Sequence, residues 1–247
     1  MTYCLAIKLK QGLVALADTR ITAGSSASTK KKISIEQHDR QSYFMMTSGL
    51  RSVRDKTMNY FEDLENQTHS YTKLYQVVTT YGEQLKRVAA EDKAALWQSG
   101  LTFNLHTIIG GQLTEDTEPK LFLIYPEGNW VELEEDSPHV IIGNSSQGKA
   151  ILNSIITADT TIKEALKAGL LSFESTRASA NNVDYPIDVA LYKKDSYFML
   201  EKRYEQQELA YVSQIWEDKL KQLVLDLPDD WIDPRFESQN LMQTVYL

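Results

Sequence analysis

The chain has 247 residues, enough for one large core or two modest domains, and 42% hydrophobic with 24% charged residues is the balance of an ordinary soluble protein. A formal net charge of -8, with no basic cluster longer than Lys30-Lys31-Lys32, excludes a general nucleic-acid binder. One cysteine excludes an internal disulfide framework, and there is neither a ~20-residue apolar run nor a signal-peptide core before Lys8, so a cytoplasmic protein is expected, with no membrane contact.

The start, Met1-Thr2-Tyr3-Cys4-Leu5-Ala6-Ile7, places a threonine behind a removable methionine and directly before a strand. Such a threonine can become an N-terminal nucleophile, whose hydroxyl attacks while its own α-amine takes the proton. That amine titrates near pH ~8, close enough to neutrality to work without a histidine. Ordinary methionine removal is expected to be sufficient for maturation. Thr2 by itself equally suits the start of any β-rich chain.

Residues 3–9 and 13–18 read as strands joined by a turn at Gln11-Gly12. Leu13, Val14, Leu16 and Ala17 are nearly continuous, which suits a sheet buried on both faces. Gly24 to Thr29 is small and polar and is expected to be a loop. Lys32–Ile35 and Tyr43–Thr47 give two more strands, the second closed by Ser48-Gly49. The period then changes to helical from about Ser52 to Leu64, and again from about Thr72 to Ala95.

Strands return at Phe103–Ile109, Lys120–Tyr125 and Trp130–Glu134, with Gly110-Gly111 and Pro126-Glu127-Gly128-Asn129 as separators. Val140-Ile141-Ile142 is a short strand before Gly143-Asn144-Ser145-Ser146. Helices follow from about Gly148 to Ile156 and from Thr161 to Arg177, the latter capped by Thr161 with Glu164 as partner. Ile187–Leu191 and Tyr197–Met199 form a closing hairpin turned at Lys194-Asp195. The order strands, helices, strands, helices, strands predicts an α+β fold of four layers, helix–sheet–sheet–helix. Residues 1–204 are expected to form one domain, and residues 205–247 a helix and tail that pack on it or on a neighbouring subunit.

Several residues stand out chemically and also have plain explanations. Asp18 and Arg20 suit a strand-end ion pair, Lys30 to Lys32 a solvated run, and Gly49 a strand terminator. Cys4 is not terminal and has no paired histidine, so a buried small side chain is expected. His38, His69, His106 and His139 are scattered singly, which argues against zinc, and Gly148-Lys149 lacks the glycine spacing of a phosphate loop. No cofactor or metal is expected.

With these residues in place, the chain resembles a proteasome-type peptidase of the N-terminal nucleophile hydrolase superfamily, and within it the bacterial Anbu group of ancestral β-like subunits. Thr2 matches the family's threonine, Asp18-Thr19-Arg20 its Asp-x-Arg, Lys32 its lysine and Gly49 its oxyanion glycine. Gly110-Gly111, Leu121 through Gly128, Gly143 through Lys149 and Pro186-Ile187-Asp188 match further family segments in order. The resemblance implies a four-layer αββα sandwich of two stacked, mainly antiparallel sheets. It implies a threonine-type peptidase in which Thr2 attacks a peptide carbonyl, Lys32 places positive charge beside it, Asp18 orients Lys32, and the Gly49 amide stabilises the oxyanion, a donor of that kind being worth roughly 3 kcal/mol. The first accessory position falls on Asn144 or Ser145, with Ser145 its hydroxyl candidate, and the second on Ser179, both in departures from the family pattern. Expected partners are a peptide or unfolded-protein substrate and further copies of the chain in a large homo-oligomer, ring or open spiral. An inactive scaffold or peptide binder and a hydrolase of small non-protein amides are the alternatives.

Overall fold

Alternating side-chain direction on strands buried on both faces explains the architecture of the protein, for which a computed structural model describes residues 2–23, 26–65, 71–145 and 147–233. One antiparallel sheet runs in the order His139–Gly143 (β10), Tyr3–Leu9 (β1), Gly12–Asp18 (β2), Ile187–Lys193 (β11), Met199–Tyr204 (β12). A second runs Ile33–His38 (β5), Gln41–Gly49 (β6), Leu105–Gln112 (β7), Lys120–Ile124 (β8), Trp130–Glu132 (β9). Arg20–Ala23 (β3) and Ser26–Thr29 (β4) form a separate antiparallel pair.

Alternation along single strands then decides which layer each side chain enters. On β6, Tyr43 and Met45 join a core with Val53, Phe61, Val77, Tyr81 and Leu85, which come from the helices Arg51–Glu65 (α1) and Leu74–Gln98 (α2). Phe44 and Met46 point the other way, into a core shared with Cys4, Ala6, Ala15 and Ala17 of β1 and β2. Alanines on one sheet face large side chains on the other, so the two sheets interdigitate. On the far side of the first sheet, Tyr3 packs edge-on to Phe173 with ring centroids 5.8 Å apart. That ring belongs to the helix Ile162–Ser179 (α4), which follows Gly148–Ile155 (α3) and contacts it. The result is the four-layer α+β sandwich, α1/α2–sheet–sheet–α3/α4, with β1 and β2 covered on both faces. Thr161 caps α4 with the expected box: its side chain accepts from the Glu164 amide at 3.3 Å and its own amide donates to the Glu164 carboxylate at 3.1 Å.

Three sequence expectations require correction. Gly110-Gly111 does not separate strands; both residues lie inside β7. A Cβ on Gly110 would sit 2.6 Å from the Phe44 ring, so glycine here makes room for the inter-sheet core rather than a turn. Ser26–Thr29, expected in a loop, pairs as β4 with β3; Gly24 and Ser25 lie outside the described residues. The last strand starts at Met199, not Tyr197, because residues 194–198 are taken up by the connection. Ser146 and residues 234–247 of the tail also lie outside the described residues.

The chain divides into two units, residues 1–208 and 209–247. The helix Gln206–Asp226 (α5) spans the boundary, and in the second unit Ile215, Leu223 and Trp231 are exposed. Among the described residues no helix is long and apolar enough to cross a membrane.

Candidate active site

Thr2 immediately precedes β1, and β1 is held on one side by β10 and on the other by β2. The ladder between β1 and β10 ends with Tyr3 opposite Gly143, and the Asn144 amide extends it by donating to the Thr2 carbonyl at 2.7 Å. Gly143 has φ +93°, and a Cβ there would lie 2.0 Å from the Thr2 carbonyl oxygen. Glycine therefore lets the end of β10 close over the Thr2 backbone and fix its position.

Asp18 ends β2, completely buried, directly beside this start. Its Oδ1 accepts three bonds: from the Thr2 hydroxyl at 2.6 Å, the Tyr3 amide at 2.8 Å and the Lys32 ammonium at 2.7 Å. The Lys32 side chain, 7% exposed, also donates to the Arg20 carbonyl at 2.7 Å. Lys32 reaches the site because it is the residue before β5, so the second sheet delivers a cation to a carboxylate of the first. Asp18 Oδ2 is buried without a hydrogen-bond partner among the described residues. Leaving one oxygen of a buried carboxylate unsatisfied is costly. The arrangement concentrates negative charge at one point, between a hydroxyl and an ammonium.

A cleft of about 840 Å³ opens at this point, and Thr2, Lys32, Gly49 and Gly143 all line it. Gly49 closes β6 at φ +150°, where a Cβ would meet the Asn104 carbonyl oxygen at 2.1 Å. The structure thus brings Thr2, Lys32 and Gly49 to one opening, with Asp18 buried and bonded to both Thr2 and Lys32. Ser145 lines a neighbouring cavity of about 380 Å³ with His139 and Lys149. Ser179 is the last residue of α4, and its hydroxyl donates back to its own helix, to the carbonyls of Ser175 at 3.2 Å and Thr176 at 3.1 Å. Neither serine has a hydrogen bond to Thr2 among the described residues.

Cys4 is fully buried, with Sγ 3.9 Å from the Thr2 hydroxyl. Burial pushes its thiol up to about 12, beyond what the nearby Lys32 charge offsets, so it stays protonated and unreactive. His106 also lines the cleft, and burial holds its imidazole below the ordinary value, which keeps it neutral near pH 7. Among the described residues no group of three or more His, Cys, Asp or Glu side chains is placed to hold a metal ion.

Sequence reasoning did not foresee that Arg51 and Arg54 line the same cleft, or that Gly143 sits on the Thr2 carbonyl. A signal for the arginines was present: two cations in the opening of a helix, where acidic residues are favoured.

A family model described as proteasome subunit matches residues 2–190. No curated protein matches the chain. Several solved structures do. An Anbu variant from a Hyphomicrobium strain is 30% identical, with a TM-score of 0.84 over 92% of this chain and 98% of that one. Anbu from Yersinia bercovieri is 27% identical, with a TM-score of 0.84 over 92% of this chain and 98% of that one. A helical assembly of the Anbu complex from Pseudomonas aeruginosa is 26% identical, with a TM-score of 0.85 over 92% of this chain and 97% of that one. With the fold matched over nearly its full length and the family model over most of it, the chain belongs to the proteasome subunit family, in its Anbu group.

Proposed function

We propose that the protein is a threonine-type peptidase whose nucleophile is Thr2 once Met1 has been removed. The observation that carries this is the convergence of the Thr2 hydroxyl and the Lys32 ammonium on one buried oxygen of Asp18, at the mouth of a cleft. In the processed chain the Thr2 amine is free. Thr2 Oγ1 attacks the peptide carbonyl carbon, its proton passes to that amine directly or through one water, and the carbonyl oxygen becomes an oxyanion next to Gly49. The C–N bond then breaks, the departing amine takes the proton, and an ester to Thr2 remains. Water, deprotonated by the same amine, cleaves the ester and restores the hydroxyl. Lys32 favours the alkoxide and the neutral amine through its charge, and Asp18 holds Lys32 in place.

A cleft of about 840 Å³ has room for several residues of a peptide as well as for a small amide. The Pseudomonas relative forms a helical assembly, and a homo-oligomer of this chain would enclose such sites and restrict them to peptides or unfolded chains in the cytoplasm. A scaffold or peptide-binding reading draws support from one feature, the Ser179 hydroxyl turned back onto its own helix. The two readings are separated by incubating unstructured peptides with protein that begins at Thr2 and sequencing the new N-termini. Cleavage that disappears in Thr2→Ala supports the peptidase; peptide binding with no new N-terminus overturns it in favour of the scaffold.

A further inference from the structure

Once Met1 is removed Thr2 is a chain end, and chain ends fray unless the residues beside them are tied down. Tyr3 does the tying. Alternation on β1 sends Cys4 into the core between the sheets and Tyr3 the opposite way, toward α4. Tyr3 is completely buried and engaged at both ends. Its amide donates to Asp18 Oδ1 at 2.8 Å, and its phenol oxygen lies 2.7 Å from the Ser172 hydroxyl on α4. The edge-on contact with Phe173 needs only a ring, which phenylalanine would also supply. The hydroxyl adds a directed bond to one point on the helix layer.

Ser172 is itself held from two sides. It is completely buried, and its carbonyl accepts from Thr176 Oγ1 at 2.9 Å. Gly148 packs against it so closely that a Cβ there would lie 2.2 Å from Ser172 Oγ and 2.5 Å from its carbonyl oxygen. Gly148 begins α3, and the segment that reaches it from β10 opens with Asn144, whose amide holds the Thr2 carbonyl. The contacts close a circuit. It runs from Thr2 to Asn144, along the chain to Gly148, across to Ser172, and through the Tyr3 hydroxyl back to the neighbour of Thr2. Any displacement of Thr2 from Lys32 has to open one of these contacts, and a misplacement of about 1 Å can cost a reaction about 100-fold.

We propose that Tyr3 is a positioning residue for the nucleophile, its hydroxyl fixing through Ser172 where Thr2 stands relative to Lys32. The effect on turnover rests on the peptidase reading, but the position of Thr2 can be followed without turnover. Lys32 lowers the pKa of the Thr2 α-amine only while the two are close, so a displaced Thr2 lets that amine rise toward its ordinary value near pH ~8. The experiment uses full-length protein that begins at Thr2, as wild type, Tyr3→Phe, Ser172→Ala, the double variant and Tyr192→Phe. Tyr192 is the control: it is also completely buried in the first sheet and also spends its hydroxyl on one bond, to Gln112 at 2.9 Å, but it pairs with Leu13 at the other end of β2. For each protein kcat and KM are measured on an unstructured peptide, and the Thr2 amine is titrated by its rate of acetylation with acetic anhydride against pH, read by mass spectrometry. Tyr3→Phe and Ser172→Ala should each lower kcat by about 10- to 100-fold with KM within about threefold, and should move the amine titration upward. The double variant should be no more than about threefold below the weaker single one, because both remove the same bond. Tyr192→Phe should lower the melting temperature yet leave kcat within about threefold and the titration in place. Should Tyr3→Phe fail to fold, Ser172→Ala removes the bond from the helix side and decides alone. Unchanged kcat and titration in the Tyr3 and Ser172 variants overturn the proposal and leave the peptidase intact. Equal losses in Tyr192→Phe overturn it as well, in favour of a general effect of stability. If the wild type cleaves no peptide the peptidase reading falls, and the titration still decides: a shift confined to the Tyr3 and Ser172 variants upholds the positioning, and no shift overturns both.

Discussion

Two buried carboxylates lie on adjoining strands of the same sheet: β2 and β11 pair with Asp188 opposite Ala17, next to Asp18. They are treated in opposite ways. Asp188 receives a planar fork, Arg203 Nε on Oδ1 at 2.7 Å and Nη2 on Oδ2 at 2.9 Å, so both oxygens are satisfied and the arginine remains 43% exposed. Asp18 draws three donors to Oδ1, leaves Oδ2 without a partner, and holds a lysine that is 7% exposed. The first geometry is what stability favours. The second is less favourable as structure, and the mechanism we propose accounts for it by what it would do for the neighbouring hydroxyl.

Substitutions can break this contrast from either side. The largest effect is expected for Thr2→Ala, which should lower peptide turnover by at least about 1,000-fold while costing the fold about 1–3 kcal/mol for one lost hydrogen bond to the buried Asp18 carboxylate. Turnover assays and thermal melts check both parts. Next, Asp18→Asn leaves the buried Lys32 ammonium without its counter-charge and should destabilise the fold by about 3–5 kcal/mol in addition to abolishing activity. Asp188→Asn should cost about 1–2 kcal/mol, because half-exposed Arg203 can be rehydrated, and should leave turnover within about threefold of wild type. Equal losses of activity in the two Asn variants would end the distinction. Gly143→Ala tests the backbone around the nucleophile. A Cβ 2.0 Å from the Thr2 carbonyl oxygen, on a residue with φ +93°, should cost about 1–3 kcal/mol and displace Thr2, with activity falling more steeply than stability.

The smallest expected effect is on pH dependence. Burial holds the imidazoles of His106 and His139 below their ordinary value, although Glu127 opposes this at His106 and a bond with Asn153 opposes it at His139. As pH falls through about 6.5 the unfolded chain takes up these protons before the folded one, so stability declines with falling pH. The melting temperature should therefore be lower at pH 5.5 than at pH 7.5, and the difference should be smaller in His139→Gln. An unchanged difference in that variant would remove His139 from the account.

The contrast between the carboxylates also shows how far the sequence could be read. The block order and the strand and helix periods were sufficient for the four-layer sandwich, because alternation on β6 and continuous burial on β2 are local consequences of which faces are covered. Thr2, Asp18, Lys32 and Gly49 stood out only through the resemblance to proteasome-type subunits, since each residue taken alone also had a plain explanation. Their convergence was not legible, since it depends on β5 of the second sheet approaching the end of β2 in the first. Gly110-Gly111 was misread for a related reason: the ring that requires glycine there, Phe44, comes from another strand. The role of Asp188 as a satisfied ion pair is likewise set by β12, whose start the sequence misplaced. The cationic lining of the cleft assembles from β3, the segment before β5, and α1, so no single stretch of sequence displays it.

The most direct measurement of the central claim is intact-protein mass spectrometry of the chain that begins at Thr2 after exposure to a peptide epoxyketone, which links covalently to both a threonine hydroxyl and its free α-amine. The account predicts one adduct, mapped to Thr2 and absent from Thr2→Ala. A processed chain that gains no mass, or that gains the same mass in Thr2→Ala, would contradict it.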